Sequence, residues 1–125
     1  MYRRYTLVVG CWLLVVRLHM TIITGLNDLE IYNSSILLTK DVLRLCKRVE
    51  LRQEFSLQDQ IKRASISICA NIAEGFGRKT KADLSHFLSI SLGSNNETLA
   101  LLDVISINFP TLSKNCFDIK EKYNI

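Results

Sequence analysis

Three times in this chain a residue able to cap a helix is followed, three positions later, by an acid: Asn27 and Glu30, Ser56 and Asp59, Thr80 and Asp83. In such a box the first side chain accepts from an orphan N–H at a helix start. The acid bonds back to the cap's own N–H, and its charge suits the positive end of the helix dipole. Each box opens a run whose apolar residues recur at helical spacing, which predicts helices over about 28–50, 57–74 and 81–107. On the first, Leu29, Tyr32, Ile36, Leu43 and Cys46 form one seam, widened by Leu38, Val42, Leu45 and Val49. The second carries Leu57, Ile61, Ala64, Ile68 and Ile72, and Gly75 and Gly77 are expected to stop it. The third carries Leu84, Phe87, Leu88, Leu92, Leu99, Leu102 and Ile105, with Gly93 expected to mark a close helix crossing. Pro110, the only proline, then breaks the chain, and Thr111–Tyr123 offers a last short helix. One proline and five glycines are too little punctuation for a sandwich or barrel of many tight turns. Short links between long amphipathic helices favour antiparallel neighbours. The expected fold is all-α, an antiparallel up-and-down four-helix bundle with a short fourth helix.

The 125 residues suffice for one core. Residues 1–19 hold Arg3, Arg4 and Arg17 and no acid, whereas the other thirteen Lys and Arg face all twelve acids. The body is therefore nearly neutral, and its overall charge argues only weakly for a nucleic-acid partner. Within the first segment the uninterrupted apolar run Thr6–Val16 is shorter than the roughly 20 residues a bilayer core demands. It also lacks the small residues of a cleavage site. Residues 1–19 are read as an added extension, with Met20 as the alternative start and residues 20–125 as the bundle domain. An extra packed helix and a membrane element are the other two readings. Cys11, Cys46, Cys69 and Cys116 lie 35, 23 and 47 residues apart, and the only histidines are His19 and His86. No metal-ligand spacing results, and reduced thiols in a cytoplasmic core are expected.

Polar residues on the second helix fall in one line: Gln60, Arg63, Ser67, Asn71, Glu74 and Arg78. Ser91, Ser94 and Glu97 of the third are spaced to face it. One reading is a groove in which Arg63, beside Glu74 or Glu97, tunes a carboxylate as a general acid. The favoured one is an inter-helix network that fixes register and subunit pairing, because no nucleophile, paired histidine or metal set accompanies the line. Cations form two groups, Lys40, Arg44, Lys47, Arg48 and Arg52, then Lys62, Arg78, Lys79 and Lys81. They are either a solvated face suited to the helix dipoles or a phosphate-binding patch repeated around an oligomer. No aromatic interleaving accompanies the patch, Phe55 and Phe76 being the nearest, so sequence-specific or single-strand stacking is not expected.

The stretch from Phe55 through Gln60, Arg63, Ser67, Asn71-Ile-Ala-Glu74-Gly75, followed by Gly77-Arg78, His86-Phe-Leu-Ser-Ile90 and Gly93-Ser94-Asn-Asn-Glu97, resembles the signature of the "four helix bundle protein" family. That family is also known for members encoded in intervening sequences of 23S ribosomal RNA genes. Asn27-Asp-Leu-Glu-Ile-Tyr32 is similar to its opening turn, so the resemblance covers about residues 27–110. It implies a left-handed antiparallel bundle that self-associates, typically as ring-like homopentamers, with no catalytic residue, cofactor or small-molecule substrate. A related branch, accessory proteins of diversity-generating retroelements, binds RNA and a reverse transcriptase through basic surfaces. Family members carry a longer fourth helix and begin near the residue matching Asn27. The resulting expectation is a non-enzymatic, cytoplasmic, self-assembling module that associates with RNA or an RNA-handling protein. The alternative is a protein-interaction scaffold with no nucleic-acid affinity.

Overall fold

The computed structural model of the chain describes residues 24–123, and among these all regular structure is helical. Four helices follow one another: α1 (Glu30–Leu45), α2 (Phe55–Gly77), α3 (Lys81–Asn108) and α4 (Ser113–Tyr123). Single 3₁₀ turns at Leu26–Asp28, Val49–Leu51 and Pro110–Leu112 precede α1, α2 and α4. Sequential helices pack on one another and α4 returns to α1, which gives an up-and-down bundle with α1 and α3 at opposite corners. The pairing of α2 with α3 is the most extensive. The extension 1–19 and the alternative start at Met20 lie outside the described residues. No described helix is long and apolar enough to cross a membrane.

The core is built by Leu38, Val42 and Leu45 of α1, Ile61, Ile68 and Ile72 of α2, Leu102 and Ile105 of α3, and Leu112, Cys116 and Ile119 at α4. The seam expected for α1 is buried only in part. Cys46 lies in the core and Leu29 and Tyr32 pack against it, alongside Leu38, Val42 and Leu45 of the widening side, whereas Ile36 and Leu43 stay more than a third exposed. The helix also stops at Leu45 and not near residue 50. Arg48 turns extended, and the 3₁₀ turn that follows drops Leu51 (1% exposed) onto the end of the core while Val49 points out. Burying Leu51 there requires the chain to leave the helical path, at a site with neither glycine nor proline.

Of the three expected boxes, only that at Thr80 forms its cap. Thr80 Oγ1 accepts from Asp83 N at 3.1 Å, and Asp83 Oδ2 accepts from the Thr80 hydroxyl at 2.6 Å in place of the backbone N–H. At the first, Asn27 lies inside the 3₁₀ turn Leu26–Asp28 and does not cap, while Asp28 Oδ2 accepts from Thr24 N, Thr24 Oγ1 and Gly25 N. Leu29 takes the N-cap position without a side-chain bond. At the second, α2 starts ahead of Ser56, and Gln58 Nε2 reaches back to Leu51 O at 2.5 Å. The glycines also trade roles. Gly75 lies buried inside α2 against α3: an added Cβ would sit 3.0 Å from Phe87 Cβ. Gly93 is exposed, with nothing within 4 Å of an added Cβ, so no helix of its own chain crosses there.

The short α4 is pinned on both flanks. Lys120 Nζ bonds Asp103 of α3 at 2.5 Å, and Ser113 Oγ donates to Ser106 O. On the α1 side, Lys122 Nζ and Tyr123 Oη both donate to Asp41 Oδ2, at 2.7 and 2.8 Å. Burial pushes the Asp41 carboxyl up. Those two hydrogen bonds, with the charges of Lys122 and Arg44, outweigh it and hold the group below its ordinary range. Cys46 and Cys116 are buried free thiols, with Cys116 raised to about 11 chiefly by desolvation. Cys69 is only partly buried.

Candidate nucleic-acid interface

The nine sequence-selected cations divide between the two ends of the bundle. Lys40 and Arg44 stand on the outer face of α1, Lys47 and Arg48 just beyond its end, and Arg52 after the 3₁₀ turn. Lys62, in the second turn of α2, belongs to this same end because α2 runs antiparallel to α1. Arg78, Lys79 and Lys81 lie at the α2–α3 turn, sixteen residues beyond Lys62, or about 24 Å along the helix. The second sequence group is therefore split, and the chain offers a six-cation end and a three-cation end.

Several of these charges are already engaged. Arg44 lies 3.5 Å from Asp41, Arg48 lies 3.3 Å from Glu50, and Arg78 pairs with Glu74. Lys62 Nζ donates to Gln58 Oε1 at 2.9 Å. Among the described residues Lys40, Lys47, Arg52, Lys79 and Lys81 have no carboxylate partner. Glu50 ties the six-cation end together, since its Oε1 accepts from both Arg48 and Thr111. Its carboxyl is held below the ordinary range by its own backbone N–H first and by Arg48 next. Asp41 is turned toward α4, so the outward side of α1 presents cations without a free acid beside them. At the three-cation end Glu74 and Asp83, with Asp28 and Glu30 at the start of α1, cancel the local charge. With Asp41, Glu50, Glu54 and Asp59 set against its six cations, the six-cation end keeps the excess of positive charge.

The three-cation end holds a feature the sequence spacing hid. The Arg78 guanidinium lies 5.1 Å from the centroid of Phe87, whose ring meets that of His86 edge-on at 5.5 Å. Arg78 and Phe87 are nine residues apart and meet only because a three-residue turn folds α3 back on α2. Their contact is legible once the hairpin is known, and not before.

The polar line of α2 separates into a centre and a fringe. Ser67 Oγ and Ser94 Oγ meet at 2.8 Å, and Asn71 Nδ2 donates to Ser67 O and Ser67 Oγ. Ser91 Oγ donates across to Ile68 O at 3.0 Å. These hydroxyls knit α2 to α3. Gln60 and Glu97 face solvent, and Arg63 bonds Asp59 at 2.9 Å. The expected neighbourhood of Arg63 with Glu74 or Glu97 does not form, because each arginine takes the carboxylate four residues before it on its own helix: Asp59 for Arg63, Glu74 for Arg78. Buried Asn95 of α3, which sequence reasoning passed over, has an Oδ1 with no hydrogen-bond partner. Among the described residues no three His, Cys, Asp or Glu side chains converge as metal ligands.

A family model described as 23S rRNA-intervening sequence protein matches residues 27–123, nearly the whole described bundle. No curated protein and no solved structure matches the chain.

Proposed function

Because the chain belongs to the 23S rRNA-intervening sequence protein family, we propose that it is a non-enzymatic, self-associating helical module of the cytoplasm that binds RNA through the six-cation end of its bundle. The observation that carries this reading is the run of unpaired or loosely paired cations where α1 gives way to α2. Lys47 and Arg52 are exposed without carboxylate partners, and Arg48 and Lys62 lie beside them. One subunit offers few phosphate contacts, so repetition around a homo-oligomer, a pentamer by the family resemblance, raises the avidity. Phe55, 75% exposed at the start of α2, is the one aromatic ring beside Arg52 among the described residues, and a lone ring with no base-edge reader is not expected to read base sequence.

The test is an RNA titration at two salt concentrations with the native chain and with Lys47→Glu/Arg48→Glu. Each phosphate neutralised should add about 0.7–0.9 to the slope of log affinity against log salt. The double reversal should abolish binding and leave helicity unchanged, since both residues are exposed and outside regular helix. Binding that ignores salt, or survives the reversal, removes this surface from consideration. A native chain that binds no RNA at low salt leaves the protein-interaction scaffold, a reading favoured by the aliphatic side chains exposed on α1 and α3.

A further inference from the structure

The outward face of α1 combines Lys40 and Arg44 with Ile36, Leu37 and Leu43, three aliphatic side chains each more than a third exposed. The outward face of α3 is its counterpart. It carries exposed Ile90 and Val104, the acid Glu97 midway between them, and the small residues Gly93 and Ala100 on either side of that acid. Beyond Lys81, α3 contains no lysine or arginine. Gly93 has no role inside its own chain, because nothing lies within 4 Å of the space a Cβ would take. A glycine in an exposed helix interior nevertheless weakens the helix. We infer that the α1 face of one copy docks on the α3 face of the next, with Lys40 opposite Glu97 and with Ile36 and Leu43 seated over Gly93 and Ala100. This rests on the self-association proposed above and identifies the surfaces that make it.

Three geometric facts agree on the pairing. First, Ile36 and Leu43 lie four residues before and three after Lys40, and Gly93 and Ala100 lie four before and three after Glu97. Equal spacing lets large side chains meet small ones in two places at once, which is how helix axes come within 8–10 Å. Second, α1 and α3 point the same way in an up-and-down bundle, so two copies related by rotation about an axis along the bundle bring these helices together in parallel.

Third, Lys40 and Glu97 stand at one height. The bond from Thr39 Oγ1 to Ser65 O sets Lys40 level with Ala64, and the Ser67–Ser94 bond sets Ala64 level with Glu97. Copies then meet without axial shift, as a closed ring requires. With shift, a head-to-tail contact would grow into a filament. Since α1 and α3 occupy opposite corners, each copy keeps one face free for the next, and closure consumes both.

The experiment is sedimentation velocity on the full chain, with circular dichroism alongside, for the native protein, Lys40→Glu, Glu97→Lys, the double variant Lys40→Glu/Glu97→Lys, and Gly93→Leu. The native protein should sediment as an assembly. Each single reversal should weaken association about tenfold per contact by setting like charges together. The double variant should restore it, and Gly93→Leu should dissociate it with helicity intact. A native monomer, an assembly indifferent to either single reversal, a double variant no better than the singles, or an assembly untouched by Gly93→Leu each overturns the pairing. Should a charge reversal unfold the chain, Gly93→Leu carries the test alone, at a site where no neighbour of its own chain is disturbed. Docking takes Lys40 and Arg44 out of the six-cation end and leaves Lys47, Arg48, Arg52 and Lys62 for RNA, and neither Lys40 nor Glu97 is reversed in the RNA titration. An RNA failure therefore leaves the assembly standing, and an assembly failure leaves salt-sensitive RNA binding by the single subunit measurable.

Discussion

Alanine at Gly75 and alanine at Gly93 should move stability in opposite directions although the chemical change is the same. Both glycines sit inside helices, and each substitution gains about 0.8–1.0 kcal/mol of helix propensity. At Gly93 nothing within the single subunit opposes that gain, since no atom of its own chain lies within 4 Å of the new Cβ, so the comparison is read at a protein concentration where the copies are apart. At Gly75 the Cβ lands 3.0 Å from Phe87 Cβ, 3.2 Å from Leu84 Cδ1 and 3.4 Å from Leu84 O. Phe87 Cβ and the Leu84 carbonyl are close to the backbone of α3, so relief requires the two helices to move apart where their pairing is most extensive. Overpacking of that kind costs about 1–3 kcal/mol, which leaves Gly75→Ala destabilised by roughly 0–2 kcal/mol. Propensity is common to both variants, and the difference between them isolates the steric cost. Urea unfolding followed by circular dichroism, at one fixed protein concentration, reads both values. Gly75→Ala as stable as Gly93→Ala would refute the claim that a close helix approach reserves residue 75 for glycine.

Asp41→Asn keeps the shape and removes the charge that draws Lys122 and Tyr123 to α1, and it should lower stability by about 1 kcal/mol after allowance for the exposed Lys122. The depressed Asp41 carboxyl contributes stability above its ordinary value of 3.8 and loses it as pH falls through the lower folded value. The native protein should therefore melt progressively earlier in that acid range, and Asp41→Asn should show a flatter acid limb; superimposable limbs would exclude Asp41 as the pin. Asn95→Leu replaces a buried amide whose Oδ1 lacks a partner with an apolar side chain of similar size, so the urea midpoint should rise by the equivalent of about 1–2 kcal/mol. A fall would mean that the amide makes a bond of greater worth.

Helix order, the apolar stripe of α2 and the up-and-down arrangement were legible because burial against several neighbours enforces the 3.6-residue period over long runs. On α3, by contrast, only Leu102 and Ile105 of the expected stripe are buried, and Ser91, Ser94, Asn95 and Thr98 fill the rest of the buried face. What escaped the sequence depends on contacts between distant segments. Leu51 ends α1 early by plugging the core, and Val49, in phase with the helix, is left outside. Asn27 and Ser56 match the cap pattern as well as Thr80 does, yet the 3₁₀ turn Leu26–Asp28 takes Asn27 in and moves the N-cap to Leu29, and α2 begins before Ser56. Gly75 and Gly93 are indistinguishable by spacing; which one meets a neighbouring helix is decided by rotation about the helix axis. The cations of the candidate site were identified one by one, but not their division between ends, which depends on how far α2 carries Arg78 from Lys62. The aromatic support of Arg78 was hidden for the same reason, since it arises across the hairpin.

That hairpin also sets a timetable. A three-residue connection brings α2 and α3 together with little loss of loop entropy, and theirs is the most extensive pairing in the bundle, so their contacts are expected to form first. Buried Ile68 and Ile72 and the Ser91–Ile68 bond belong to this first structure, whereas Ile119 and Tyr123 gain their partners only after the hairpin and α1 have assembled. In stopped-flow refolding, Ile68→Val should slow the folding rate in proportion to its loss of stability. Ile119→Val should leave that rate nearly unchanged and speed unfolding. The reverse pattern would place the nucleus at α4 and make the tightest pairing in the bundle the last to form.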